Sequence, residues 1–454
     1  MSRQKGRDAV KTDRSIGGCS CAVYRQPLVA KIDDYLSCLS RVEDPAARRW
    51  TPLASGTAAV LMALDVGCSL AVRCEDALAC MKLDFSCGLG DTFNGLIKAL
   101  ERQATLSLPV LKAELRTRAR TAFKSIPRVA GWTLLAVDGS KEDLPRTVDN
   151  ESVFGIADNG AYPQAFTTVI VEVQSGLAWD WRVGPGRSDE RAHLRDMAPQ
   201  LPDDALLLGD GGFLGYPVWS TLMQAGKSFL IRVGGNARLL TDLFPDAHIE
   251  RRGGIVYAWP RHQRHRVPPL RLRLIKVGSR EDPVHLLTNV LDSTKLSRKA
   301  AGTIYRLRWG VELFYRTLKR TLGYAKLRSR SGRRAAVELE WGLITATIVA
   351  LIGIRVLRRR RIDARRLSPS GLLRVLRGAL LRGVGALSHE GVRILDRALA
   401  GAVKDRYRRR RPKHSRHNPT TRNTPVTNIQ PPQIRRATPR ERRLALRKYP
   451  SLAP

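Results

Sequence analysis

The sequence is short of acids, of cysteine and of long apolar runs. Its 454 residues carry 41 Asp+Glu against 79 Lys+Arg, a formal net charge of +38 with a pI near 11.0. A chain with so little compensating negative charge repels itself in isolation and suits a polyanionic partner. Nucleic acid leads, ahead of an anionic membrane or a ribosome. Cysteine occurs seven times, always before residue 90 (Cys19, Cys21, Cys38, Cys68, Cys74, Cys80, Cys87), and never as C-x2-C. The odd count argues against a disulfide framework and the spacing against a zinc site. Reduced, mostly buried thiols are expected, in a cytoplasmic and nucleoid-associated protein. The most apolar stretch, Trp341 to Ile354, has the length of a core helix and falls short of the ~20 residues a membrane span needs. The start, MSRQKGRDAVKTDR, is charged with no apolar run behind it, so no signal peptide is expected.

What is present divides the chain by composition. Residues 1–26 read as a basic arm. Residues 27–128 carry apolar residues at 3–4 spacing punctuated by Gly and Pro, which predicts a helical N-terminal domain. Its last segment holds Lys112, Arg116, Arg118, Arg120 and Lys124, a candidate DNA-end-binding face or a solvated one. Residues 129–357 change period. TLLAVDGS is a buried strand ending at Asp138. AFTTVIVEV and LAWDWRV form a hairpin, and a helix opened by Ser188 follows, with Asp189 and Glu190 in its first turn. ALLLGDGGF is a second buried run ending in an acid, Asp210, and SFLIRV is a further strand. Residues 234–290 look like a β-rich insertion with basic, Pro-containing loops, and 358–403 like basic helices. Residues 404–454 are expected to be a disordered basic tail, because 401–454 hold sixteen Lys/Arg against two acids and much Pro and Thr. Such a tail suits non-specific nucleic-acid binding, or only solubility.

Thr303 to Lys319, TIYRLRWGVELFYRTLK, carries the densest chemistry. As one helix it puts Ile304, Leu307, Val311, Phe314, Leu318 and Leu322 on an apolar face. Tyr305, Arg308, Glu312, Arg316 and Lys319 form the neighbouring stripe. Two aspartates at the ends of mid-sheet strands and a glutamate on a helix packed against them could meet at one point. Clustered carboxylates repel unless a cation lies between them, and Mg²⁺ takes oxygen ligands while leaving positions open. Two such ions suit an in-line phosphoryl displacement, with Arg308 and Lys319 on phosphates.

Tyr305, two residues, Arg308, three residues, Glu312, six residues, Lys319 reproduces in type and spacing the Tyr/Arg/Glu/Lys signature of IS4-family DDE insertion-sequence transposases. VDGS at Asp138 and DGGF at Asp210 resemble the family's first and second aspartate motifs. The resemblance covers roughly residues 130–355. It implies an RNase H-like α/β fold, a mixed sheet with flanking helices, and a β-rich insertion before the glutamate. It further implies Asp138, Asp210 and Glu312 as catalytic ligands of two Mg²⁺ ions, with Mn²⁺ as a substitute, and Tyr305, Arg308 and Lys319 as DNA phosphate contacts. The implied activity is DNA cleavage at terminal inverted repeats and strand transfer into target DNA, by a homodimer in the synaptic complex, with no membrane involved. Some members pass through a hairpin in which an aromatic residue holds a flipped base; Trp259 and Trp309 are the candidates here. The alternatives are a nuclease or resolvase of the same fold without strand transfer, and an inactive basic DNA-binding protein.

Overall fold

A computed structural model describes residues 27–65, 69–82, 90–156, 161–244, 253–279, 283–381, 389–404 and 430–452. The expected basic arm 1–26 and the tail segment 405–429 lie outside the described residues.

Four helices come first: α1 (Pro27–Leu36), α2 (Pro52–Leu64), α3 (Leu70–Lys82) and α4 (Phe93–Phe123). Thr51 caps α2, with Pro52 in its first turn, and Thr92 caps α4. α4 is one helix of 31 residues, which continues through Pro109. These helices and the sheet below them share one hydrophobic core. The joint is α10 (Gly332–Arg359), the longest apolar helix. Trp341 of α10 lies against Gly56 of α2, and Glu340 accepts a hydrogen bond from the Trp181 indole at 2.6 Å. α10 is long and apolar enough to cross a membrane but is mostly buried inside this core.

The sheet contains β1 (Thr133–Asp143), β2 (Gln164–Glu172), β3 (Leu177–Pro185), β4 (Ala205–Gly209), β5 (Ser228–Val233), β6 (Arg238–Thr241), β7 (Ile255–Ala258), β8 (Leu270–Gly278), β9 (Pro283–Thr288) and β10 (Gln433–Arg436). Their order is β10-β6-β7-β8-β9-β5-β4-β1-β2-β3. β1, β4 and β5 run parallel at its centre; β1-β2-β3 is an antiparallel meander. Leu134 to Val137 and Leu206 to Leu208 are fully buried, as central parallel strands must be. Helices α5 (Val148–Phe154), α6 (Glu190–Met197) and α7 (Tyr216–Gln224) connect strands. β6 to β9 lie within residues 234–290, where a β-rich insertion was expected.

Three expectations change. Asp138 does not end its strand: β1 continues to Asp143, paired with β2 throughout. It is β4 that stops short. Thr303–Lys319 is not one regular helix. It comprises the end of α8 (Arg298–Arg306), a 3₁₀ turn at Leu307–Trp309, α9 (Gly310–Arg316) and a π turn at Thr317–Thr321. The tighter turn shifts the phase, so Leu307 is 36% exposed whereas Ile304, Val311, Phe314, Leu318 and Leu322 are buried. The third change is at the C-terminus, where residues 430–452 of the expected disordered tail form β10 and helix α13 (Pro439–Lys448). Helices α11 (Pro369–Leu381) and α12 (His389–Gly401) stand where basic helices were expected.

Candidate active site

β1 and β4 are paired with Ala136 opposite Leu208. Carried two residues past the last paired position, this register would bring Asp138 level with Asp210, about one strand spacing (~4.8 Å) apart. Asp138 accepts from its neighbour's N–H, Gly139 N, at 2.8 Å. Asp210 caps the 3₁₀ turn Gly211–Phe213 through Gly212 N, also at 2.8 Å. Each aspartate thus keeps one oxygen on backbone and has the other to offer. Burial raises the Asp138 carboxyl to about 6; the charges of Asp210 and Glu312 push the same way, against the Gly139 N–H and Arg308.

α9 crosses over this point. It comes so close to the end of β2 that a Cβ at Gly310 would sit 2.4 Å from the Val173 carbonyl oxygen, so only glycine fits there. Tyr315, 6% exposed, shares its hydroxyl proton between the carbonyls of Asp138 (2.9 Å) and Thr167 (2.8 Å), tying α9 to β1 and β2. The facing acid, Glu312, is held by Arg308 at 2.9 Å. Burial works against the Arg308 charge, but Tyr305, Glu312, Asp138 and Asp210 outweigh it and raise its pKa. Burial drives the Tyr305 phenol up to about 12, so it is a neutral donor beside that guanidinium.

Lys319 sits further along. Its ammonium donates to the Lys141 carbonyl at 2.5 Å and lies 3.7 Å from Glu142, which is fully buried. Burial lifts Glu142 to about 7, opposed by Lys319 and by the Thr167 hydroxyl at 2.8 Å. Lys319 therefore neutralises a carboxylate under β1 while remaining 28% exposed. Of the two aromatic candidates, Trp259 is 4% exposed and its indole donates to Val267 O, whereas Trp309, next to Arg308, is 59% exposed.

One acid at this point was not singled out from sequence. Glu190 opens α6 after the Asp189 cap, the cap expected at Ser188. Its carboxylate lies between the two glycines that follow the aspartates. Its oxygens are 2.5 Å from where a Gly212 Cβ would be and 3.0 Å from a Gly139 Cβ. Burial raises its pKa, as do Asp210 and Asp138. Among the described residues no three acid, His or Cys side chains stand at joint ligand distance. Glu312 has one carboxylate oxygen engaged by Arg308. The donors themselves are carboxylates without thiol or imidazole, a set that fits hard divalent cations.

Of the candidate DNA-binding cations, Lys112, Arg116 and Arg118 are half-buried and engaged internally, whereas Arg120 and Lys124 are exposed. Lys112 donates to Trp181 O at 3.0 Å and pairs with Glu340 at 3.6 Å. Arg116 pairs with Asp180, Arg118 with Glu114 and Asp34, and Arg120 lies 5.8 Å over the Trp179 ring.

Residues 132–348 match the transposase DDE domain family. A relative from Escherichia coli strain K12, the transposase InsG for insertion sequence element IS4, is 28% identical over 232 residues, which is 48% of this chain and 52% of that protein. The chain thus spans about half the length of that relative. A cryo-EM structure of a piggyBac transposase synaptic complex with hairpin DNA aligns with 87% of this chain and 86% of its own, at 11% identity and a TM-score of 0.38. The matched segment runs from just before β1 into α10 and so contains Asp138, Asp210, Glu190 and the Tyr305–Lys319 segment. Residues 132–348 are thus similar to a transposase DDE domain, and the chain resembles the IS4-element transposase over about half of its length.

Proposed function

We propose that this protein is a metal-dependent DNA transposase that binds terminal inverted repeats, cuts at them and joins the freed end to target DNA. The observation that carries this is the pairing of Ala136 with Leu208 on adjacent parallel strands leading into Asp138 and Asp210, with α9, the helix of Glu312, tied to Asp138 through Tyr315. The central order β3-β2-β1-β4-β5 supports an RNase H-like assignment for this part of the sheet. Asp138, Asp210 and Glu312 would hold two Mg²⁺ ions, or Mn²⁺ in their place, and Glu190 lies close enough to contribute. Bound there, the ions would supply charge neutralisation at the entering and leaving oxygens of a phosphodiester.

The chain's own residues do the rest. Arg308 and Tyr305 donate to a DNA phosphate, and Lys319 adds a charge from a position braced by Glu142 and the Lys141 carbonyl. When a phosphate takes the Arg308 guanidinium, the Glu312 carboxylate is released toward the aspartates. DNA binding and completion of the acid set are in this way one event. Trp309, exposed beside Arg308, is placed to stack on an unpaired base. Two copies of the chain would bring two ends together.

The test is incubation of the full chain with a duplex ending in the element's inverted repeat, plus Mg²⁺ and a target plasmid. Cleavage with joining supports the transposase. Cleavage without joining points to a nuclease or resolvase, and binding without cleavage leaves a basic DNA-binding protein.

A further inference from the structure

We propose that residues 430–452 and the β-rich insertion form one DNA-gripping unit, in which Arg440, Arg443 and Arg447 hold duplex phosphates away from the reacting end. This rests on the transposase reading for the identity of the polyanion. The segment is built into the fold. β10 adds to the edge strand β6 in parallel, Gln433 opposite Arg238 through Arg436 opposite Thr241. α13 starts with a complete capping box, Thr438 and Glu441 each bonding the other's backbone N–H. Glu441, 6% exposed, is clamped by Arg435 at 2.6 Å and by Arg264 from the insertion loop. Ala437 and Ala445 complete a small apolar core with Leu240, Phe244, Tyr257 and Trp259. Tyr449 meets Trp259 edge-on at 6.2 Å, and Lys448 donates to His265 O at 2.7 Å.

That docking sets the orientation of the rest. At about 100° per residue, Glu441, Ala445 and Lys448 face the insertion, and Arg440, Arg443 and Arg447 fall together on the opposite side. All three are exposed, and no ion pair among the described residues holds them. The one acid of the helix is neutralised internally, so the outward row is uniformly positive. The row spans about 10 Å, roughly three base-pair rises along a strand. A merely solubilising segment needs no fixed direction; this one has a strand pairing, a cap and a buried clamp that fix it. In the sheet, β10 stands six strands from β4, which leads into Asp210. At ~4.8 Å per strand the two strands are about 29 Å apart across the sheet, the length of roughly eight base pairs.

The experiment is a salt titration of DNA binding by the full chain in EDTA. It compares a duplex of roughly 5 base pairs beyond the break with one of roughly 20. Replacing Arg440, Arg443 and Arg447 by Ala is expected to lower the log–log salt slope by about 2–3 on the long duplex and to leave the short one unchanged. An unchanged slope on the long duplex, or an equal fall on both, overturns the proposal. Glu441→Gln, which loosens the clamp and keeps the outward cations, should give a smaller fall on the long duplex; no fall with this variant would show that the docking does not matter and would overturn it as well. Because no cleavage is scored, a failed transposase reading shows separately, as wild-type protein that binds and does not cut in Mg²⁺.

Discussion

The centre of the sheet and its far end treat charge in opposite ways. At the centre several cations are taken by carboxylates: Arg308 by Glu312, Lys319 by Glu142, and on the flanking helix Lys112 by Glu340 and Arg116 by Asp180. At the far end one buried glutamate, Glu441, takes two arginines, and those around it on α13 point to solvent. Burial lifts the Asp138 carboxyl to about 6 and that of Glu142 to about 7. A net charge of +38 therefore says little about where DNA lies. What matters is which cations have an internal partner and which do not. The centre is arranged for chemistry and the end for grip.

The largest effect should come from the centre. Asp138→Asn, Asp210→Asn or Glu312→Gln is expected to reduce Mg²⁺-dependent cleavage by roughly 10³-fold or more with DNA affinity nearly kept; normal cutting by any one removes that residue from the metal site. Next is Lys319→Ala, which leaves Glu142 buried without its cation, Oε1 already lacking a hydrogen bond. A loss of about 2–3 kcal/mol is expected, less than a fully buried pair because Lys319 is partly exposed. The pH dependence has a definite sign. Glu142 titrates at about 7 in the fold and at roughly 4.3 unfolded, so its stabilising proton is fully present below that lower value and is lost as pH rises through 7. Lys319→Ala should therefore cost more at alkaline than at acidic pH in urea melts, and equal losses would show that the ammonium does not serve Glu142. Glu190→Gln should be milder: weaker Mn²⁺ binding by calorimetry, by roughly tenfold, with unchanged affinity for DNA in EDTA. Unaltered Mn²⁺ binding would place Glu190 outside the ion's reach.

Much of the centre could be read from residues and little of its geometry. LLAV and ALLL are too apolar for any place but mid-sheet, and the Tyr305–Lys319 spacing carried the helix residues. The register that would bring Asp138 level with Asp210 is a non-local property, invisible in either strand alone. Glu190 escaped because an acid in a helix's first turn is already explained by the macrodipole; the signal lay in Gly139 and Gly212, the small residues that make room for it. At the far end a local signal was present. Thr438-Pro-Arg-Glu441 is a capping-box pattern, which low-complexity composition obscured. Leu307 was misplaced because a uniform 100° advance does not survive a 3₁₀ turn.

The smallest effect bears most directly on the contrast between centre and end. Arg120 makes no ion pair among the described residues, is exposed and lies over Trp179 at 5.8 Å, so of the α4 cations Lys112, Arg116, Arg118 and Arg120 it has the weakest internal tie. Arg120→Ala should cost about 0.5–1 kcal/mol by thermal melting and leave the salt slope of DNA binding where it was. If instead the slope fell by about one unit with stability intact, α4 would be contacting phosphate after all. The division between inward and outward cations would then have to be drawn within a helix, residue by residue, and not between the two parts of the sheet.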